Sequence, residues 1–318
     1  LHNAPKGRAT MIDRRKFLAD LAALSTATLL PMESAWSQSK KSDTSDLLQR
    51  AIPGTGEMIP VIGLGTADSF DVGTSADERR VVREVLRRFL KAGARVIDTA
   101  PSYGTAERVI GDLLTDIGLQ SSAFLVTKLG ANGRAAGEAQ FQRSLQRLRR
   151  DRVDALLVHN LIDWKTQLAY ARELKESGKT RYVGFSHYLP RAHAEMARLM
   201  QSEKPDFIQI NYSVASPEAA SRILPLAQDL GIAAMTSRAF EDGRLFDRVR
   251  SSSLPGWAAE RGVTSWAQMF LKFAISHPAV TVVLPATGKP ERETDNLRAG
   301  RGELLGPEQI ADLIKQFS

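Results

Sequence analysis

The sequence predicts an α/β fold, a (β/α)8 TIM barrel with a short N-terminal β-hairpin before it and an extra C-terminal helix after it. Three observations lead there. Eight short apolar runs recur between residues 61 and 285, and amphipathic stretches separate them. Most of the runs lack the polar alternation of a half-exposed strand, as expected of parallel strands covered on both faces. A chain of 318 residues is also long enough to bury such a core within one domain.

In order, residues 47–53 and 57–60 flank the turn Gly54-Thr55-Gly56, which is the pattern of a small hairpin. The strand runs follow at 61–67, 96–100, 123–128, 155–160, 182–187, 207–212, 233–238 and 280–285. Helical periodicity lies between them. Val82, Leu86, Phe89 and Leu90 share one face, as do Phe141, Leu145 and Leu148, and again Leu168, Ala171 and Leu174. Gly93, Gly118, Gly178 and Gly231 stand where a helix ends and the next strand begins. Eight strand–helix units in sequence match a barrel. The rival, a doubly wound sheet, would carry a glycine-rich fingerprint, and Gly63-Leu64-Gly65-Thr66-Ala67-Asp68 lacks its third glycine.

The amino-terminal segment differs in kind. Asp13-Arg14-Arg15-Lys16-Phe17-Leu18 precedes a short apolar run to Met32, and Ala35-Trp36-Ser37 then supplies small residues at a cleavage-site spacing. The paired arginines followed by Phe17-Leu18 resemble a twin-arginine export signal. The run contains Asp20, Ser25 and Thr26 and is too short and polar for stable membrane insertion. The expected organisation is therefore an export signal over residues 1–37, with 1–10 upstream of the start at Met11. A polar linker over 38–47 and the barrel over 48–318 complete it. A signal implies the twin-arginine export machinery as a partner and a periplasmic location; without one the expected location is cytoplasmic.

Composition removes several classes of chemistry. The chain has no cysteine, which rules out disulfides, Cys-ligated zinc, iron–sulfur clusters and thiol nucleophiles. No cluster of metal ligands is visible, so no metal is expected. The formal charge of +7 is spread along the chain without aromatic–basic interleaving, so no nucleic-acid partner is expected.

Polar residues at the strand ends carry the functional reading. Carboxyl ends of barrel strands converge on one face, where active sites form. The second run, Val96-Ile97-Asp98, ends in an acid, and the turn after it carries Tyr103; the third ends in Lys128 and the fourth in His159. An acid, a phenol, an ammonium and an imidazole on three neighbouring strands suit proton transfer to an oxygen. A phenol with a pKa of about 10 is a weak donor near neutrality, and a cation beside it is expected to lower that value. Asp98 can hold the Lys128 ammonium in place, and His159 can donate a hydrogen bond to the reacting oxygen. A carbonyl polarised in this way needs a hydride, which only a cofactor supplies.

These motifs resemble the aldo-keto reductases over essentially all of residues 47–318. The shared elements are Gly63-Leu64-Gly65-Thr66, Ile97-Asp98-Thr99-Ala100 with Tyr103-Gly104 behind it, Lys128 and His159. The resemblance implies an oxidoreductase that reduces aldehydes or ketones to alcohols with NADP(H), with small carbonyl or alcohol compounds as substrates. It implies Tyr103 as general acid/base, Lys128 and Asp98 as its tuning pair, and His159 as the substrate-orienting group.

Cofactor contacts carry over residue by residue. Gly65, Thr66 and Asp98 fall at the first two strand ends, Ser186 and His187 at the fifth, with His187 where the family has asparagine. Gln209 falls on the sixth strand. Ser237 and Arg238 follow Thr236, which stands where the family supplies a stacking aromatic. Thr287, Lys289 and Arg292 match the 2′-phosphate and adenine contacts, and Asp295 and Asn296 the adenosine contacts. Ala286 replaces a phosphate-binding lysine, which keeps NAD(H) open as the alternative cofactor. Trp164 is expected as a substrate-pocket wall. The competing reading is a nucleotide-binding sensor or regulatory barrel with little turnover.

Overall fold

The computed structural model describes residues 46–317, so the expected export signal and residues 38–45 of the expected linker lie outside the described residues. Eight parallel strands form one sheet: β3 (Leu64–Gly65), β4 (Val96–Asp98), β5 (Phe124–Leu129), β6 (Val153–His159), β7 (Thr180–His187), β8 (Phe207–Asn211), β9 (Ala233–Ser237) and β10 (Val280–Val283). Each pairs with its sequence neighbour, and the two edges meet. Gly63 N donates to Val283 O at 2.9 Å, Val283 N to Val61 O at 2.9 Å, and Gly65 N to Pro285 O at 2.8 Å. The sheet therefore curls into the cylinder of a (β/α)8 arrangement. Residues 63 and 65 are glycines because this seam is tight. A Cβ on Gly63 would lie 2.7 Å from Leu284 Cδ2.

Ahead of the sheet, β1 (Gln49–Ala51) pairs antiparallel with β2 (Met58–Pro60). Ile52, just after β1, and Ile59, within β2, join the apolar cluster inside the cylinder. Arg50 donates to the carbonyls of Ile275 at 2.6 Å and His277 at 2.8 Å, and also to that of Val280. The pair thereby stoppers the end of the barrel at which the strands begin.

The helices are α1 (Ala76–Lys91), α2 (Ala106–Asp116), α3 (Arg134–Leu148), α4 (Trp164–Glu176), α5 (His193–Glu203), α6 (Ile223–Asp229), α7 (Arg244–Arg248), α8 (Trp266–Ser276), α9 (Pro290–Arg298) and α10 (Pro307–Phe317). α1 shows why such segments form. Ser75 caps Glu78 N at 3.4 Å, Asp77 and Glu78 sit at the positive end, and Arg88 and Lys91 at the negative end. Its buried face is Val82, Val85, Leu86 and Phe89, so Val85 takes the place expected of Leu90. Each such side chain contributes roughly 1.5–3 kcal/mol on burial, before conformational entropy is charged against it. Gly93 and Gly178 follow α1 and α4 at φ of 87° and 71°, the left-handed turn that leads into the next strand.

Two apolar layers result. One lies between sheet and helices, and the other fills the cylinder with Val96, Phe124, Val126, Ala155, Leu157, Phe207, Met235 and Val282 among others. Strand periodicity then sets the polar layer above it. Positions 96 and 98, 124 to 128, 155 to 159 and 207 and 209 alternate inward, so Asp98, Lys128, His159 and Gln209 cap the inner columns. Several strands are shorter than their apolar runs suggest. β3 covers only Leu64–Gly65 because the chain turns at once, with Phe70 N donating to Thr66 O at 3.2 Å.

Candidate active site

The strand ends open into a cavity of about 1120 Å³. Asp98, Tyr103, Lys128 and His159 all line it. Lys128 Nζ donates to Asp98 Oδ1 at 2.7 Å and to Thr99 O at 2.8 Å. It also lies 5.1 Å from the centre of the Tyr103 ring. The rings of Tyr103 and His159 meet edge to face, with centroids 6.1 Å apart. The four side chains thus surround one small volume at the mouth of the barrel.

Local structure holds the phenol there. Tyr103 N donates to Ala100 O at 3.0 Å and Ala106 N to Tyr103 O at 3.0 Å, which fixes the turn between β4 and α2. Asp71 clamps the same turn from another loop, accepting from Thr105 N at 2.8 Å and Thr105 Oγ1 at 2.7 Å. Gly104 has φ of 53°, which strains most side chains, and a Cβ on it would sit 2.1 Å from an Asp71 carboxylate oxygen, so a side chain there would displace the Asp71 clamp.

Protonation states follow from burial and neighbouring charge. Burial pushes the Tyr103 phenol up from its usual value, and the nearby Lys128 cation only partly offsets this. The cation does lower it, as expected, but the net direction is up because desolvation of the phenolate outweighs one ammonium already committed to Asp98. Burial opposes the charge on Lys128 as well, but Asp98 and Tyr103 more than compensate, and its pKa is raised. His159 is pushed down to about 3 by burial and by the positive charge of Lys128, with His187 contributing. Its imidazole is therefore neutral near pH 7 and carries one N–H to donate.

The expected cofactor residues fall into two groups. Gly65, Thr66, Asp98, Ser186, His187, Gln209, Ser237, Arg238, Thr287, Arg292, Asp295 and Asn296 line the cavity. Thr66 Oγ1 donates to Asp98 O at 2.8 Å, and Gln209 Nε2 to Asp98 Oδ2 at 3.1 Å. The other amide atom, Gln209 Oε1, is buried without a partner. His187 Nδ1 accepts from Leu189 N at 3.2 Å, which leaves the proton on Nε2. Asp295 is held by Ser265 Oγ and Gln268 Nε2, both at 2.5 Å. Arg238 pairs with Asp242 and lies over the Tyr188 ring at 5.3 Å.

Lys289 and Trp164 are not among the lining residues. Lys289 is the exposed cap of α9, its N–H donating to Thr287 Oγ1 at 3.1 Å. Trp164 packs edge-on against Phe185 with centroids 6.2 Å apart, under Arg198. The reason lies in the preceding bend. Asn160, Leu161 and Asp163 adopt φ of 52°, 57° and 42°, left-handed backbone that swings the chain off the cavity.

The pattern of strand ends missed Asp68, Tyr188, Phe240 and Phe246, which also line the cavity. They lie beyond the strands, where no periodicity marks a side chain as cavity-facing. Among the described residues, no group of three or more His, Cys, Asp or Glu side chains can hold a metal ion.

Comparison with known proteins agrees with this geometry. Residues 61–315 match the model of the aldo/keto reductase family. The chain is 30% identical over 244 residues to methylglyoxal reductase YeaE of Escherichia coli (strain K12), covering 74% of this chain and 84% of that one. It resembles the crystal structure of an aldo-keto reductase from Klebsiella pneumoniae in complex with NADPH, at a TM-score of 0.73 and 28% identity over 85% of this chain and 96% of the other. A second Klebsiella pneumoniae structure, an aldo/keto reductase in complex with NADP and acetate, gives 0.71 and 29% over 83% and 93%. With the family model spanning nearly the whole barrel, the chain belongs to the aldo/keto reductase family.

Proposed function

We propose that this protein reduces small aldehydes or ketones to alcohols with NADP(H), using Tyr103 as the proton donor. The observation that carries the reading is the buried Lys128–Asp98 pair lying against the Tyr103 ring, with neutral His159 at its edge. Tyr103 is the general acid toward the carbonyl oxygen. Lys128 keeps a positive charge beside the phenol as its proton leaves, and Asp98 holds that charge in place. His159 donates its single N–H to the same oxygen and orients it.

The residues present fit a dinucleotide. Gln209 Oε1 is a buried acceptor left without a partner in the cavity wall, as a carboxamide N–H requires. Ser186 and His187 stand beside it on β7, and Ser237 and Arg238 at the end of β9. Pro290 opens α9, and the backbone before it, with Thr287 and Arg292, suits a phosphate and the adenosine end. Bound there, NADPH supplies the hydride. NADP(H) in complexes of the Klebsiella pneumoniae relatives supports that choice.

Replacing Tyr103 with Phe tests the assignment. Reduction of an aldehyde panel by the Tyr103→Phe variant should fall by roughly 10²–10⁴-fold, with NADPH affinity nearly kept. Unchanged turnover would exclude Tyr103 as the donor. A wild-type chain that binds NADPH but turns over no aldehyde or ketone would favour a sensor barrel.

The export reading of residues 1–37 belongs to the same proposal, supported by Arg14-Arg15, the apolar run and the small residues before residue 38. The linker is then 38–47, the barrel 48–318, and the location periplasmic. Because twin-arginine export carries folded proteins, the cofactor is loaded before export and stays bound. Fractionation of cells expressing Arg14→Lys/Arg15→Lys checks this, with retention in the cytoplasm expected. Equal export of the variant and wild type would refute a twin-arginine route.

A further inference from the structure

We propose that Asp68 is a charge filter for the reductase site, favouring neutral and cationic carbonyl compounds over those that bear a carboxylate. This deepens the reductase reading and rests on it.

Asp68 sits on the turn between β3 and α1, lines the cavity and is exposed. Its φ of 57° is a conformation that aspartate tolerates better than most residues. The turn is not loose. Ser69 N donates to Ala67 O at 2.6 Å, Phe70 N to Thr66 O at 3.2 Å, and Phe70 is fully buried. The turn that carries the carboxylate is therefore held in place at the rim.

Some of the other charges that line the cavity are paired, while Glu291 and Arg292 on the first turn of α9 line it without ion pairs among the described residues. Lys128 and Asp98 neutralise each other at 2.7 Å, and Arg238 is paired with Asp242. His159 is neutral at physiological pH. Among the described residues Asp68 has no ion-pair or hydrogen-bond partner for its side chain. It nevertheless lies close enough to act electrostatically on the Tyr103 hydroxyl, together with Lys128 and Asp98. A substrate presenting its carbonyl to Tyr103 thus places its remaining groups in a field to which the unpaired Asp68 carboxylate contributes. A carboxylate there is repelled, a cation attracted, and a neutral hydroxylated chain can donate hydrogen bonds to Asp68.

Three aldehydes of similar shape form the test: 4-carboxybenzaldehyde, 4-nitrobenzaldehyde and 4-(trimethylammonio)benzaldehyde, each assayed with saturating NADPH at low ionic strength. The readout is the kcat/KM ratio of the anionic and the cationic aldehyde to the neutral one, in wild type and in Asp68→Asn. Comparing ratios between enzymes removes the intrinsic reactivity of each aldehyde. In Asp68→Asn the anionic ratio should rise about five- to tenfold and the cationic ratio fall by a similar factor, with both effects shrinking in added salt. Asp68→Glu, which keeps the charge, should behave as wild type. Ratios that do not move in Asp68→Asn overturn the filter while leaving the reductase reading intact. If the wild type turns over none of the three, the reductase reading fails and the filter with it.

Discussion

Lys128 and Asp98 form an ion pair at 2.7 Å whose side chains retain only 1% and 5% of their exposure. Charges so far from water persist only when each satisfies the other, and removing one partner leaves the second stranded. Lys128→Met should therefore destabilise the fold by about 3–5 kcal/mol, read as a lowered midpoint in urea. The double variant Asp98→Asn/Lys128→Met should be less destabilised than the two single variants predict together, because it strands no charge. Simple additivity would show that the pair is not coupled.

Tyr103 and His159 predict the pH dependence. Burial raises the Tyr103 pKa, so the phenol stays protonated beyond its ordinary range and carbonyl reduction should decline only above about pH 10. Alcohol oxidation uses the phenolate and should rise over the same interval. With His159 pushed down to about 3, no inflection from it is expected between pH 5 and 8. A kcat/KM profile with a break near pH 6.5 that disappears in His159→Gln would contradict this.

Glu293 on α9 is fully buried, and neither of its carboxylate oxygens has a partner. Burial pushes its pKa up to about 8. An unfolded glutamate titrates near 4.3, so between that value and 8 the folded state binds more protons than the unfolded one, and stability falls as pH rises. At pH 7 the cost is about 3 kcal/mol. Glu293→Gln should accordingly raise Tm by several degrees at pH 8 and change it little at pH 4. Equal effects at the two pH values would mean that the carboxyl does not ionise in the fold.

Gly184 lies on β7 facing the barrel interior. A Cβ there would sit 2.0 Å from Phe207 O and 3.0 Å from Leu157 Cδ2. The nearest obstacle is backbone, which cannot rotate aside. Gly184→Ala should cost about 1–3 kcal/mol or more, measured by chemical denaturation. A variant as stable as wild type would show that β7 and β8 can separate at no cost.

The sequence by itself determined the strand count, the strand order and the four polar residues at the head of the site. Each of these rests on local chemistry: β-branched apolar runs form buried strands, and alternation along a strand places Asp98, Lys128 and His159 on its inner face. The Gly63-Leu64-Gly65 motif was legible as a motif, but its reason, the tight seam between the first and last strands, lies in pairing across more than two hundred residues.

Only the tertiary structure decided the rest. Trp164 leaves the cavity because the left-handed backbone before it turns the chain away, and Lys289 caps α9 in solvent while Arg292 lines the cavity. Asp68 enters the site from a turn that no periodicity marks. The net direction of the Tyr103 shift was likewise out of reach, although the cation acts on it in the expected sense. A cation on the neighbouring strand can be inferred from spacing, but the desolvation that outweighs it is set by everything packed around the phenol.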